Sequence, residues 1–404
     1  MAKRHLISGL DIGSGTIKIL VAQKKPKQEE LEILSFVEKN SSGVRSGVVV
    51  EPNEVTKIIK EILKETEAQI NQKINSVYVN IGGCHVFSIA SRGLVSVSRA
   101  DQKISQEDVE RVLQAAQTIS LPSNKEILDV FSREFIIDGE RGIKEAIGLR
   151  GVRLEAEVLA LGGFGPYIKN LTEAVLNSGL EIDDLVFSPI ASSRAVLTPK
   201  EKELGVALLD IGAKSTGMAI FEQGNLIHLV ILPIGSGHIT NDIAVGLKCD
   251  VDLAERIKLE FGSVFFQGND KKEKIKLREG ESLVFSKKQL ARIIEPRILE
   301  IFREANKELK KISYQGKLPG GIVLTGGGSK IPKIRDLAKK EFRLPCRLGF
   351  PKEFSSFQND PRFSLVCGLV LIGNDIESES QSLAKGFWKK IGNKIKKFFK
   401  IFIP

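Results

Sequence analysis

Near the N-terminus, apolar runs alternate with short polar breaks: LISGLDIG, TIKILVAQ and LEILSFVEK, the last two separated by the turn-prone KKPKQEE. Apolar runs bounded by Gly, Pro and charged clusters predict strands, here an antiparallel meander. The period then changes. In EPNEVTKIIKEILKETEAQI, Val55, Ile58, Ile59, Ile62 and Leu63 recur at helical spacing, with Asn53 as candidate cap and Pro52 before it. NSVYVNIGG returns to a strand. The opening hairpin pattern comes back much later as ELGVALLDIG, STGMAIFEQ and NLIHLVILPIG.

Between the two copies the pattern differs. CHVFSIASRGLVSVSR reads as strands, SQEDVERVLQAAQTI as a helix capped by Ser105 with Glu107 or Asp108 near its start, and ILDVFSREFIID and VRLEAEVLALGG as further strands. These predict a compact α+β insertion over residues 84–162. PYIKNLTEAVLNSGLEIDDLVFSPIASSRAVL then supplies two helices around a short strand. Residues 241–312 hold NDIAVGLKCDVDLAERIKLEFGS, a Lys-rich loop, and a long helix carrying Pro296 as a kink point.

The repeated strand delivers an Asp, Asp11 or Asp210, to a turn of small polar residues: Gly13, Ser14, Gly15, Thr16 in one copy and Gly212, Ala213, Lys214, Ser215, Thr216 in the other. Such turns expose backbone N–H groups, and Gly lets the chain approach an oxyanion closely. A third signal, LTGGGSKIP, follows the strand GIVLTG and precedes the helical IPKIRDLAKKEF, placing Gly326, Gly327 and Gly328 at a helix start that favours phosphate. One glycine-rich turn is usually only a turn; three in this order predict a two-lobed nucleotide binder. Neither GxxxxGK[ST] nor a GxGxxG opening a helix occurs at the first loop, so phosphate would lie between two hairpins.

Composition narrows the classes. The chain has 404 residues, 42% of them hydrophobic, enough for more than one core. Of the net charge of +10, seven units are lysines after residue 382, leaving +3 for the body. That, with few aromatic residues and no basic–aromatic stripe, argues against nucleic acid as a partner. Cys84, Cys249, Cys346 and Cys367 lack CxxC spacing and read as ordinary thiols in a reducing compartment. His5, His85, His228 and His238 are scattered, and no Ser/His/Asp, Cys/His or HExxH set appears. No signal peptide is expected at MAKRHLISGL, which Asp11 cuts short, and no apolar run is long enough to span a bilayer.

The C-terminal segment carries a second strong pattern. On a helical wheel Ala384, Phe387, Trp388, Ile391, Ile395, Phe398, Phe399 and Phe402 fall within an arc of about 120°. The lysines of the segment, among them Lys385, Lys389, Lys394 and Lys400, take the other side. A buried large apolar side chain contributes roughly 1.5–3 kcal/mol, and each Lys near an anionic surface about 1 kcal/mol. Such a helix lies in the membrane interface rather than spanning it. The acid- and Ser-rich GNDIESESQS before it reads as a tether; the competing reading is a terminal helix docked on its own domain.

In motif order, insertion site and tail, the sequence resembles the FtsA family of the actin, Hsp70 and sugar-kinase superfamily over about residues 6–403, through GLDIGSGTIK, GIKEAIGLRGVRLEAEV, LTPKEKELGVALLDIG, PIGSGHITNDIAVGL and AERIKLEFGS. The resemblance implies an α/β, two-lobed actin-like ATPase fold. Its first lobe would comprise 1–83 and 163–195 with 361–373 packing back, 84–162 the insertion, 196–240 and 313–360 the second lobe, 241–312 a further subdomain, 374–382 a linker and 383–404 the amphipathic helix. It implies ATP and Mg²⁺ as ligands, with Gly13 to Thr16, Lys18 and Gly212 to Thr216 on the phosphates, Asp11 and Asp210 holding hydrated Mg²⁺, and Gly326 to Gly328 beside the adenosine. Glu255 and Lys258 would reach ribose and base, and read equally as a solvated helix face. As partners it implies the FtsZ C-terminal peptide, docking on 241–312 with Arg297 as a contact, later division proteins, an anionic membrane surface and further copies in filaments, at the cytoplasmic face of the division site.

This chain departs from the family at the second loop. Where relatives often read DIGGGTTDIA, it reads DIGAKSTGMA, with Lys214 for a Gly and Gly217 for an acid. Loss of that carboxylate argues against fast hydrolysis and leaves no catalytic residue assigned, and Lys214 either contacts phosphate or points to solvent. Two other functions fit the core: a PilM-like adaptor of pilus assembly, which usually lacks so marked a tail, and a small-molecule kinase, which has no use for one.

Overall fold

The computed structural model describes residues 6–24, 31–266, 268, 270, 272–276 and 282–384. Strands β1 (Leu6–Ile12), β2 (Thr16–Lys24) and β3 (Leu31–Asn40) form the expected meander, with Asp11 opposite Lys18. A small ribbon, β4 (Val44–Arg45) and β5 (Val48–Val49), leads into α1 (Pro52–Ile70), after which β6 (Ser76–Ile81) runs parallel to β1. Asn53 does not cap α1. Glu51 holds the cap position without a side-chain bond, and Pro52 starts the helix, where a missing N–H and a fixed φ cost nothing.

The insertion is a sheet of its own. β7 (Phe87–Ser96), α2 (Gln106–Gln117), β8 (Lys125–Ile137), β9 (Glu140–Ile143) and β10 (Arg153–Phe164) give the order β7-β10-β8-β9, and α2 closes a separate core of Val109, Val112, Phe135, Leu154 and Val158. Ser105 and Asp108 form a reciprocal capping box at the start of α2. The short β9, with Glu140 and Arg141 beside Gly142, is too brief and too charged for alternation to reveal it.

Helix α3 (Gly165–Leu176), β11 (Glu181–Phe187) and α4 (Ser188–Val196) complete the first lobe, whose sheet reads β11-β6-β1-β2-β3. The second lobe follows as α5 (Pro199–Leu204), β12 (Val206–Ile211), β13 (Thr216–Glu222), β14 (Asn225–Leu232), α6 (Ser236–Leu247), α7 (Val251–Phe261), β15 (Lys272–Lys276), β16 (Ser282–Ser286), α8 (Lys287–Lys311), β17 (Gly321–Thr325), α9 (Ile334–Phe342) and β18 (Cys346–Leu348). Its sheet, β18-β17-β12-β13-β14, matches the first strand for strand: an antiparallel meander extended on its first strand by two parallel neighbours. The repeated LDIG therefore marks the same place in two copies of one plan. Helix α8 runs as one element through Pro296.

The chain returns to the first lobe in α10 (Ser364–Ala384). A Cβ on Gly368 would lie 1.8 Å from the Ala191 carbonyl oxygen, so α10 and α4 meet backbone to backbone. Residues 374–382 are not a linker: they lie within α10, and Arg194 Nε donates to Asp375 at 2.6 Å while its Nη1 reaches Glu353. Residues 374–378 of this acid- and Ser-rich stretch are thus a partly exposed part of a docked helix. The amphipathic segment beyond it, from Lys385 to Pro404, lies outside the described residues.

Candidate functional site

The carboxyl ends of β1, β6, β12 and β17 open on one cleft between the lobes, a cavity of about 490 Å³. Crevices outside the carboxyl ends of strands are the usual ligand sites of open α/β sheets. Asp11 and Asp210 hold equivalent penultimate positions in β1 and β12, and the turns that follow close alike. Gly13 N–H donates to Thr16 O at 3.1 Å, and Gly212 N–H to Ser215 O at 2.9 Å. A Cβ on Gly15 would lie 3.1 Å from Ala213 Cβ, so the two tips face each other at contact distance.

Behind them β17 ends in the third loop. Gly326 has φ +80°, and a Cβ there would fall 2.2 Å from Asp210 Oδ1, so no other residue fits. At Gly327 the Cβ direction is open, with Arg362 Cγ nearest at 3.6 Å. The expected helix start is displaced: a 3-10 turn, Gly327–Lys330, intervenes, and α9 begins only after Lys333.

Charge is concentrated at the hairpins. Lys18 Nζ donates to Asp11 Oδ2 at 3.1 Å. Burial by itself would depress this ammonium, but Asp11, Glu38 and Asp210 outweigh it and hold its pKa above the ordinary lysine value. Asp210 is pushed up to about 6 by burial, with the Asp11 charge adding to the effect and the Ser192 hydroxyl, which donates to it, opposing. A partly buried carboxylate destabilised in this way beside a second one is relieved by a cation. Among the described residues no cluster of three or more metal-ligating side chains occurs, so a dication between Asp11 and Asp210 would keep much of its water, as Mg²⁺ does.

The sign of the Asp210 shift sets a pH dependence. The folded protein binds this proton more tightly than the unfolded chain, so the contribution is fully present below about pH 4 and is lost as pH rises through about 6. Without Mg²⁺, urea unfolding should show a loss on the order of 2–3 kcal/mol across that window, absent in Asp210→Asn. Affinity for a dication should rise over the same window.

Asp11, Gly13, Ser14, Gly15, Thr16, Lys18, Asp210, Gly212, Ala213, Lys214, Ser215, Glu255, Lys258, Gly326, Gly327 and Gly328 all line this cleft. Thr216 does not: it is fully buried and its hydroxyl donates to Ile234 O at 2.7 Å, because strand alternation after Ser215 turns it inward. Lys258 is no solvated helix face. It is buried, with Nζ 2.7 Å from Glu255 Oε2 and 2.9 Å from Thr240 Oγ1, and burial depresses its pKa. The family acid replaced by Gly217 has no room here, since a Cβ would lie 2.8 Å from Pro189 Cγ.

The sequence reading missed Asn80. Its Oδ1 accepts from Ile12 N–H at 2.7 Å and its Nδ2 donates to Ser188 Oγ at 3.1 Å, tying β1 to β6 and α4 at the cleft floor. A lone polar residue in the apolar run VYVNI was the available signal. Gly47, whose N–H donates to Ser14 Oγ at 2.7 Å, and Ser192 carried none. The described histidines are structural: His85 accepts from Phe164 N–H, His228 pairs with Glu308 and His238 accepts from Gly235 N–H. All four cysteines are free. Arg297 lies outside the cleft lining, bridging α8 to Asp242 of α6 at 2.6 and 2.8 Å. No helix among the described residues is long and apolar enough to cross a membrane.

Comparisons with known proteins agree with this architecture. Residues 207–368 match the family model for cell division protein FtsA, and 83–161 that for the SHS2 domain inserted in FtsA. The chain is 34% identical over 385 residues to the cell division protein FtsA of Pseudomonas aeruginosa, covering 94% of this chain and 92% of that protein. With its counterpart in Bacillus subtilis it shares 32% identity, over 92% and 84%. Among solved structures, the PilM-PilN type IV pilus biogenesis complex superposes with a TM-score of 0.65 at 19% identity, covering 92% of this chain and 99% of that one. MreB5 of Spiroplasma citri bound to AMPPNP gives 0.58 at 12%, over 94% and 99%. At these identities the structural likeness establishes the actin-like fold and nothing finer.

Proposed function

The chain belongs to the FtsA family of cell-division proteins, and from that premise we propose that it is an ATP-binding, actin-like adaptor that tethers FtsZ polymers to the cytoplasmic membrane at the division site and recruits later division proteins. Family membership sets aside the pilus-adaptor and small-molecule-kinase readings. The observation that carries the nucleotide part is the convergence of two matched hairpins, Asp11, Asp210, Lys18 and the Gly326–Gly328 loop on one cleft. The hairpin N–H groups and Lys18 would hold the phosphates, Gly326 to Gly328 would border the adenosine, and Glu255 with Lys258 would face the ribose and base. Mg²⁺ between Asp11 and Asp210 would neutralise phosphate charge. The MreB5 relative of the same fold is a precedent for AMPPNP in such a protein. Adding millimolar Mg-ATP should raise the melting temperature of the full chain, as binding to the folded state alone requires; an unchanged melting temperature removes the site assignment.

The membrane part rests on the C-terminal Trp/Phe/Lys pattern, and self-association into filaments on the fold. The α6–α8 face of residues 241–312 is proposed to dock the FtsZ C-terminal peptide, with Arg297 as a contact. Because Arg297 already pairs with Asp242, Arg297→Glu would set two carboxylates together and alter the face as well as the contact. Peptide affinity by fluorescence anisotropy should fall about tenfold or more while Mg-ATP still stabilises the variant. Equal affinity in variant and wild type removes Arg297 from the interface.

A further inference from the structure

The cations that line the cleft are Lys18, Lys214, Lys258, Lys330 and Arg362. Four of these have a carboxylate partner: Lys18 pairs with Asp11 at 3.1 Å, Lys258 with Glu255 at 2.7 Å, and Lys330 and Arg362 share Asp360 at 3.0 and 2.9 Å. Lys214 has no ion-pair or hydrogen-bond partner among the described residues.

Its position is also electrostatically unfavourable without a ligand. Lys214 Nζ lies 3.3 Å from where a Cβ on Gly237 would sit, over the first turn of α6. The N–H groups there are already spent on the hairpin, Ser236 on Gly212 O at 2.8 Å and Gly237 on Ala213 O at 2.6 Å. A cation at a helix N-terminus is repelled by the macrodipole. It is near a second cation as well, since the Lys214 charge helps to lower the pKa of Lys258, after the larger effect of burial. A side chain of this length, half-exposed at the tip of a hairpin, is free to swing out to solvent unless an anion holds it in the cleft.

We propose that Lys214 is a phosphate ligand, its ammonium binding the phosphate chain of a nucleoside di- or triphosphate from the α6 side of the cleft, opposite the Lys18 hairpin. This rests on the nucleotide reading of the cleft and adds to it a contact supplied by a side chain where the family more often has glycine. A polyphosphate chain would then give the unpaired ammonium its counter-charge and relieve its repulsion by the positive end of α6, whose own first N–H groups stay bonded to the hairpin. Lysine suits this role as a flexible point charge, and the bond it forms is charge-assisted.

Calorimetric titration of the full chain with Mg-ATP and Mg-ADP tests it, using Lys214→Met and Lys214→Arg. Lys214→Met should weaken both nucleotides about tenfold or more, with a shallower salt dependence, while its nucleotide-free melting temperature stays that of wild type. Lys214→Arg should recover most of the loss. Wild-type affinity in Lys214→Met overturns the proposal and leaves the nucleotide site standing. A loss in Lys214→Met that Lys214→Arg fails to recover, or that comes with a lowered nucleotide-free melting temperature, assigns the effect to loop shape and also overturns it. A wild-type chain that binds neither nucleotide overturns the cleft reading and this proposal with it.

Discussion

Replacing Trp388 and Phe399 together by Glu should lower binding of the full chain to anionic liposomes by a factor of hundreds or more. Both residues sit within the apolar arc of the C-terminal segment. The change removes the burial of two large side chains and adds two carboxylates that must be desolvated or held out of the interface, together on the order of several kcal/mol. Each 1.4 kcal/mol is about a factor of ten in affinity. Mg-ATP stabilisation should persist, because every cleft-lining residue lies between Asp11 and Leu365. Changing the tail lysines to Gln should act mainly on anionic vesicles at low salt, where screening is weakest. Pelleting of the double-Glu variant at the wild-type level would assign the segment to packing on its own domain instead.

Asp11→Ala should abolish most of the thermal stabilisation by Mg-ATP, and Gly327→Asp should do the same by a different route. Asp11 is buried and paired with Lys18, so its removal takes away one side of the proposed cation shell and leaves Lys18 with Glu38 as its nearest remaining carboxylate, 4.0 Å away. Gly327 has an open Cβ direction, so an Asp there fits the fold but puts negative charge and bulk where adenosine would pass. The melting temperature with and without Mg-ATP separates binding from folding in both variants. Stabilisation equal to wild type in either would contradict the role given to that position.

Much of this cleft was legible in the sequence because its parts are local. A glycine-rich hairpin turn between two apolar runs announces its own geometry, and finding it twice with an Asp at the same offset pointed to a duplicated plan before any sheet order was known. What could not be read depends on contacts between distant segments. Asn80 matters because β6 lies beside β1, and Ser192 because α4 packs under Asp210. Thr216 was assigned to the cleft from its place in the motif, whereas strand alternation fixes its side chain in the core. Lys258 reads equally from sequence as a ligand contact or a solvated helix face; it is buried because α6 packs across α7 and supplies Thr240 and the Ser236 carbonyl. The acidic stretch around Asp375 resembled a tether for the same reason, since its partner Arg194 lies far back in the chain.

The most direct test of the whole account is co-sedimentation of FtsZ with anionic liposomes in the presence of the full chain and Mg-ATP. FtsZ is expected in the pellet with the wild-type chain and in the supernatant when the chain is omitted or carries Trp388→Glu and Phe399→Glu. FtsZ remaining in the supernatant while the wild-type chain itself pellets would contradict the tether.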